Sequence, residues 1–321
     1  MDKFLERYSS AIEQAFGEYY RRHTSPEHLY QPVHYILSLG GKRLRPALVL
    51  LAADSFGCPL EKAMPAAMAI EVFHNFSLVH DDIMDRAPLR RGHPTVHCRW
   101  DANTAILSGD VMMIQAYELF ESYQGDTFRE VILAFNRVAR QVCEGQQLDM
   151  DYEKIGDVSQ AQYMEMIRLK TAVLIGGALR IGGIVAGAST RELEALEGFG
   201  TDVGLAFQLT DDYLDTFGDP RTFGKRIGGD ILEGKKTFLY ITARERASQE
   251  EFERAFSLAE EEEKIEAVRD LYRTTGADQA LREQIDRYTE KALAHVDRLP
   301  FSQPYREHYI RLARALVQRK L

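Results

Sequence analysis

A chain of 321 residues, 45% hydrophobic and 28% charged, has the length and apolar content to bury a large core. Its 40 Lys and Arg against 49 Asp and Glu leave a net charge of −9, which argues against a nucleic-acid binder, because phosphate contacts supply most non-specific affinity. Cys58, Cys98 and Cys143 share no CxxC spacing and form an odd set, which speaks against a disulfide framework or a thiolate zinc site and fits a reducing cytoplasm.

In chain order, Met1 to Arg7 lacks the apolar core of a signal peptide, and no stretch approaches a charge-free membrane span. A soluble, cytoplasmic protein without an integral membrane segment is expected. Apolar residues recur at spacings of three and four over about 3–20, 27–39, 43–56, 60–86, 101–122, 126–148, 160–187, 190–216, 235–247 and several segments beyond 250. The turn signals Gly40-Gly41, Ala87-Pro88, Gly218-Asp219-Pro220 and Gly228-Gly229 fall between them. The expected class is all-α, a helical bundle. With no Pro/Gly/Ser-rich linker and no shift in composition, one domain spanning 1–321 is expected. Met64–Met84 and Ala172–Val185 are apolar on several faces, as central helices are, and Gly176, Gly177, Gly182 and Gly183 suit close helix–helix approach. The charge-rich chain beyond Arg244 reads as the solvated face of peripheral helices.

Chemistry enters with Asp81-Asp82-Ile83-Met84-Asp85. On a helix Asp81 and Asp85 share a face one turn apart. Alone, the pattern describes an acidic helix end in solvent. Here it closes an apolar run from Val72 to Val79, and it returns as Asp211-Asp212-Tyr213-Leu214-Asp215 after the apolar segment Val203–Leu209. Two such sets converging on one cavity would repel unless hard cations neutralised them, and oxygen donors without a His/Cys set favour Mg²⁺, which in such sites usually bridges to phosphate. A di-iron bundle would need Glu-x-x-His pairs on facing helices, and none is suitably placed. Cations cluster around both motifs: Lys42, Arg43 and Arg45 after the Gly40-Gly41 pair, Arg90 and Arg91 just after the first aspartates, then Lys170, Lys225, Lys235 and Lys236. Each could be a solvated surface residue. Together, in an acidic protein, they suit a diphosphate–magnesium complex.

These residues resemble the trans-isoprenyl diphosphate synthase (polyprenyl synthetase) family across nearly the whole chain. The series runs Gly40-Gly41-Lys42-Arg43-Leu44-Arg45-Pro46, His74, the first aspartates, Arg90-Arg91-Gly92, Gly109-Asp110, Gly145-Gln146, Lys170-Thr171, Phe207-Gln208-Leu209 with the second aspartates, and Gly224-Lys225 through Asp230 to Gly234-Lys235. The resemblance implies antiparallel helices around a deep cavity, usually a homodimer, condensing isopentenyl diphosphate with an allylic diphosphate. It implies Asp81, Asp85 and Asp211 as direct ligands of Mg²⁺, usually three ions, with Asp82, Asp212 and Asp215 in support. Lys42, Arg45, His74 and Arg91 would hold isopentenyl diphosphate, and Arg90, Lys170, Lys225 and Lys235 the allylic diphosphate. Lys170, Thr171 and Gln208 would be catalytic, the last two facing the reacting carbons.

Product length should follow from the residues preceding Asp81. Phe76 stands at the fifth position upstream and the small Ser77 at the fourth. In the resembling family one aromatic at the fifth position goes with geranylgeranyl (C20) products, and aromatics at both with farnesyl (C15), which is the second choice here. An ideal helix turns Phe76 nearly away from Asp81 and Asp85, so a core phenylalanine packed between helices is the competing reading. A class I terpene cyclase would not need Lys42, Arg45 and Arg91 together, and a non-catalytic partner subunit should have lost carboxylates from one cluster.

Overall fold

The computed structural model describes residues 3–19, 23–219 and 227–317, and nearly every element in them is a helix. The central helix expected near Met64–Met84 is α4, Leu60–Met84, about 37 Å long at 1.5 Å per residue. Ala66, Ala67, Ala69, Ile70, Val72 and Phe73 on it are all fully buried. They cover more than one face, which is why no single apolar stripe marks this helix in the sequence.

Preceding it are α1 (Lys3–Tyr19), α2 (Glu27–Ser38) and α3 (Leu44–Ser55); α5 (Val96–Arg99), α6 (Ala102–Phe120) and α7 (Gly125–Lys154) follow. Helix α6 starts where the Asp101 carboxylate accepts the Thr104 N–H at 2.9 Å, an N-cap that satisfies one orphan donor of the first turn. Between α4 and α5, strands β1 (Leu89–Arg90) and β2 (His93–Pro94) pair antiparallel, with Arg90 opposite His93. The two turn residues, Arg91 (φ 54°) and Gly92 (φ 78°), are both left-handed, as a two-residue hairpin turn matched to strand twist requires.

Helices α8 (Gln160–Ile167), α9 (Val173–Val185) and α10 (Thr190–Phe217) come next. Periodicity reads 160–187 as one helix; the structure inserts a π-helical turn, Arg168–Ala172, between α8 and α9. Wide turns of this kind recur at functional sites because they redirect side chains without ending the helix. Charged helices complete the chain, at Gly229–Glu233, Phe238–Arg246, Gln249–Phe256, Glu261–Thr274, Ala277–Val296 and Gln303–Val317.

Packing divides the chain into two compact units, 1–139 with 177–197, and 140–176 with 198–321. In the first, a side chain at Gly182 would stand 2.9 Å from Ala52 Cβ, so α9 and α3 touch through backbone. In the second, a side chain at Gly200 would stand 2.7 Å from Gly176 Cα, the close approach expected of that glycine. Here the charged helices turn Phe238, Leu239, Val268, Leu271 and Leu281 into a common core and leave residues such as Glu261 and Glu262 to solvent. Among the described residues no helix is long and apolar enough to cross a membrane.

Candidate active site

In the first unit, the carboxylates of Asp81 and Asp82 lie in the last turn of α4, and Asp85 is its C-cap, its N–H bonded to Asp81 O at 2.9 Å. Three carboxylates thus crowd the end of a helix where the backbone dipole is already negative, an arrangement that favours a bound cation. Asp82 is fully buried. Burial pushes its carboxyl above the usual range, opposed by Arg90, whose Nε and Nη2 donate to Asp82 Oδ1 at 3.0 and 2.5 Å. Arg90 therefore steadies the aspartate motif itself.

The cations at the start of α3 differ in their partners. Arg43, in a left-handed conformation (φ 43°), is buried; it donates to Glu71 Oε1 and Glu13 Oε1 at 2.7 Å each and to Leu37 O at 2.5 Å. All three bonds point inward, so Arg43 fixes the loop just ahead of α3. Arg45 Nη1 donates to His74 Nε2 at 3.0 Å, which places the ring proton on Nδ1. Burial, with Arg45, Arg91 and Arg90 nearby, holds the His74 pKa well below the ordinary imidazole value. The histidine is thus a neutral acceptor, and the positive charge here comes from the arginines. Burial, with Arg91 adding to it against Glu71, lowers the Arg45 guanidinium to about 10, and its Nε is buried without a hydrogen-bond partner, a donor that an anion would satisfy. Arg91 Nη1 donates to Gly40 O.

Phe76 is half-buried; its ring meets Phe73 at 5.6 Å and His80 at 4.8 Å. It lines an apolar groove of about 660 Å³ with Leu107, Val111 and Ile114 of α6. Ser77 Oγ donates to His74 O at 2.8 Å, within its own helix.

In the second unit a hydrogen-bonded chain links three expected residues and one unexpected one: Thr171 Oγ1 donates to Gln208 Oε1 at 3.1 Å, Gln208 Nε2 to Asp212 Oδ1 at 3.2 Å, and Tyr163 Oη to Asp212 Oδ2. Asp212 is buried, and burial with Asp230 and Asp211 beside it pushes its carboxyl up to about 8. Asp215 Oδ2 accepts the Asp230 N–H at 2.9 Å. Lys170, on the π-turn, pairs with Asp149 at 2.5 Å, and Lys235 with Glu233 at 2.8 Å and Asp230 at 3.5 Å. Lys225 and the tail Gln318–Leu321 lie outside the described residues.

Sequence reasoning passed over Asp149, Tyr163 and the Arg43–Glu71 pair, whose partners lie 21, 49 and 28 residues away along the chain. Only Gly145 hints at the first: a side chain there would stand 2.7 Å from Lys170 Cα, so α7, which carries Asp149, must run against the π-turn.

The donor chemistry fits magnesium: carboxylate oxygens, those of Asp82 and Asp212 destabilised as anions by burial and by neighbouring carboxylates. Among the described residues no three His, Cys, Asp or Glu side chains gather as a ready cage; Mg²⁺ typically takes one or two protein carboxylates and completes its shell with water and phosphate oxygens.

Residues 26–275 match the family model described as Polyprenyl synthetase. The geranylgeranyl pyrophosphate synthase of Geoglobus acetivorans is 39% identical over 298 residues, 92% of each chain. Of solved structures, a geranylgeranyl pyrophosphate synthase is 46% identical with a TM-score of 0.92, covering 98% of this chain and 99% of that one. Another, from Corynebacterium glutamicum and complexed with isoprenyl diphosphate and magnesium, is 28% identical with a TM-score of 0.83 over 98% and 96%. Two aspartate motifs set among cations, on an all-helical frame that matches these enzymes over nearly its full length, place the chain in the magnesium-dependent polyprenyl synthetase family.

Proposed function

We propose that this protein condenses isopentenyl diphosphate head-to-tail with an allylic diphosphate and releases geranylgeranyl diphosphate (C20) as its main product. The observation that carries this reading is the grouping of Arg45, Arg91 and neutral His74 beside a cation-seeking carboxylate cluster in the first unit, together with a second such cluster beside Lys170 and Lys235. One diphosphate needs one grip; a condensing enzyme needs two.

Asp81, Asp85 and Asp211 would hold magnesium, three ions in all, with Asp82, Asp212 and Asp215 in support. Bound there, it would neutralise the leaving diphosphate. Lys42, Arg45 and Arg91 bind the diphosphate of isopentenyl diphosphate through charged hydrogen bonds, with His74 orienting Arg45. Lys170, Lys225, Lys235 and Arg90 serve the allylic diphosphate, and their charge stabilises it as the allylic C–O bond breaks. Thr171 Oγ1, its proton committed to Gln208, offers lone pairs to the positive carbon that forms. The double bond of isopentenyl diphosphate attacks that carbon, and the proton then lost goes to an oxygen of the departing diphosphate. Apolar surroundings keep water from intercepting the cation.

Phe76, on the apolar groove, forms the floor that stops the growing chain, and the small Ser77 leaves it deeper than two aromatics would. The exposed Ile106 of α6 and Leu133 of α7 supply apolar surface for a homodimer, which light scattering would detect. The deciding assay supplies Mg²⁺, labelled isopentenyl diphosphate and allylic primers of C5, C10 and C15. Accumulation of a C20 alcohol after dephosphorylation is expected. A hydrocarbon made without consumption of isopentenyl diphosphate would indicate a cyclase instead, and no turnover a non-catalytic subunit.

A further inference from the structure

His80 stands outside the roles assigned above, yet it is held from two sides. Its Nε2–H donates to Ile106 O on α6 at 3.2 Å, while Asp110 Oδ1 at 3.8 Å is too far for a hydrogen bond. The ring fits a slot that exists because residue 109 is glycine: a side chain there would come within 2.5 Å of His80 Cδ2. One turn back on α4, Phe76 sets its ring against the imidazole with centroids 4.8 Å apart and planes at 63°. Both rings line the same groove. Side chains at i and i+4 of a helix share a face, so an imidazole locked to α6 limits the rotation of the phenyl ring below it.

We propose that His80, seated in the Gly109 slot, is a positioning residue for product length: it holds the Phe76 ring across the groove, and without it that ring swings aside. The proposal rests on Phe76 being the floor, and it assigns the stop to a two-helix device in which α4 supplies the ring and α6 the clamp. It also gives Gly109 a physical reason, since even a methyl group would expel the imidazole.

The test compares dephosphorylated products of the full-length enzyme from one primer. Phe76→Ala should lengthen the products by one or more C5 units. His80→Ala and, independently, Gly109→Ala should shift them the same way, raising the ratio of C25 to C20 severalfold. His80→Gln, which keeps a donor but loses the ring, should behave like His80→Ala, and His80→Phe, which keeps a ring but loses the bond to Ile106 O, should also lengthen the products. The double variant Phe76→Ala/His80→Ala should go no further than Phe76→Ala, because the clamp then has nothing to hold. Parent-like products from both His80→Ala and Gly109→Ala, alongside a shift in Phe76→Ala, overturn the clamp and leave the floor standing. An unchanged pattern in Phe76→Ala removes the floor and the clamp with it.

Discussion

The guanidinium of Arg91 occupies the space that a side chain at Gly41 would fill: a Cβ at residue 41 would stand 2.9 Å from Arg91 Cζ, and Arg91 Nη1 bonds the neighbouring Gly40 O. The hairpin turn that carries Arg91 and the loop that carries Lys42 are therefore fitted to each other, and the glycine pair is there for closeness as well as for bending.

Gly41→Ala should accordingly move the arginine and strain the loop, whose φ at this residue is 131°. The strain should cost about 1–3 kcal/mol of stability. Loss of one charged hydrogen bond, roughly 1.5–3 kcal/mol, should raise the KM for isopentenyl diphosphate on the order of tenfold to a hundredfold, with the allylic KM nearly unchanged. Steady-state kinetics with each substrate varied in turn checks this, and an equal rise in both constants would contradict the placement of Arg91.

Asp81→Ala and Asp85→Ala should each lower turnover by at least ~10²–10³ at saturating Mg²⁺, the range for losing one electrostatic stabiliser of a transition state. Without metal, both variants should melt at or above the parent temperature, because each removes a negative charge from the negative end of α4. Calorimetry with and without Mg²⁺ separates these effects; turnover within a few-fold of the parent would dismiss these carboxylates as metal ligands.

A pH dependence follows from His74. Its folded pKa lies well below the ordinary imidazole value, through burial first and the arginines second, so below a pH of about 6.5 the unfolded chain takes up a proton that the folded chain refuses. Stability contributed at this residue is present above that pH and is lost as the pH falls through it. In His74→Gln the decline between about pH 6.5 and 5 should be shallower. Denaturant unfolding at several pH values measures it, and identical slopes in parent and variant would show that His74 is not the neutral group described.

Much of this architecture can be read from the sequence because it depends on local signals. Helical spacing marks α4, and carboxylates at i and i+4 fall on one face whatever surrounds them. The π-turn at Arg168–Ala172 leaves no such trace, since widening a helix by one residue changes neither composition nor apolar spacing enough to see. Arg43 and Arg45 look alike in the sequence; only the fold brings Glu13, Glu71 and Leu37 O around the first and leaves the second to pair with His74. An ideal helix turns Phe76 away from Asp81, and in the structure its ring packs on Phe73 and His80 and lines a groove with α6, contacts that no residue near it in the sequence announces.

Gly145 stands on α7 where that helix passes the π-turn. A methyl group there would stand 2.6 Å from Leu169 C and 2.7 Å from Lys170 Cα, both backbone atoms that no rotamer change can move. Gly145→Ala must therefore push α7 away from the turn or rewind the turn into α-helix, and overpacking of this kind costs about 1–3 kcal/mol. Either response separates Lys170 from Asp149, now 2.5 Å apart, and shifts Thr171 from Gln208. With Lys170 and Thr171 proposed to serve the allylic substrate, the allylic KM should rise and turnover fall, whereas the KM for isopentenyl diphosphate, whose proposed grip lies in the first unit, should change little. Gly145→Ser should do the same or worse, being larger at the same atom. Kinetics with each substrate varied, beside a thermal melt, tells the outcomes apart: a lower melting temperature with unchanged allylic kinetics would mean that the turn keeps its geometry and that Gly145 serves packing alone.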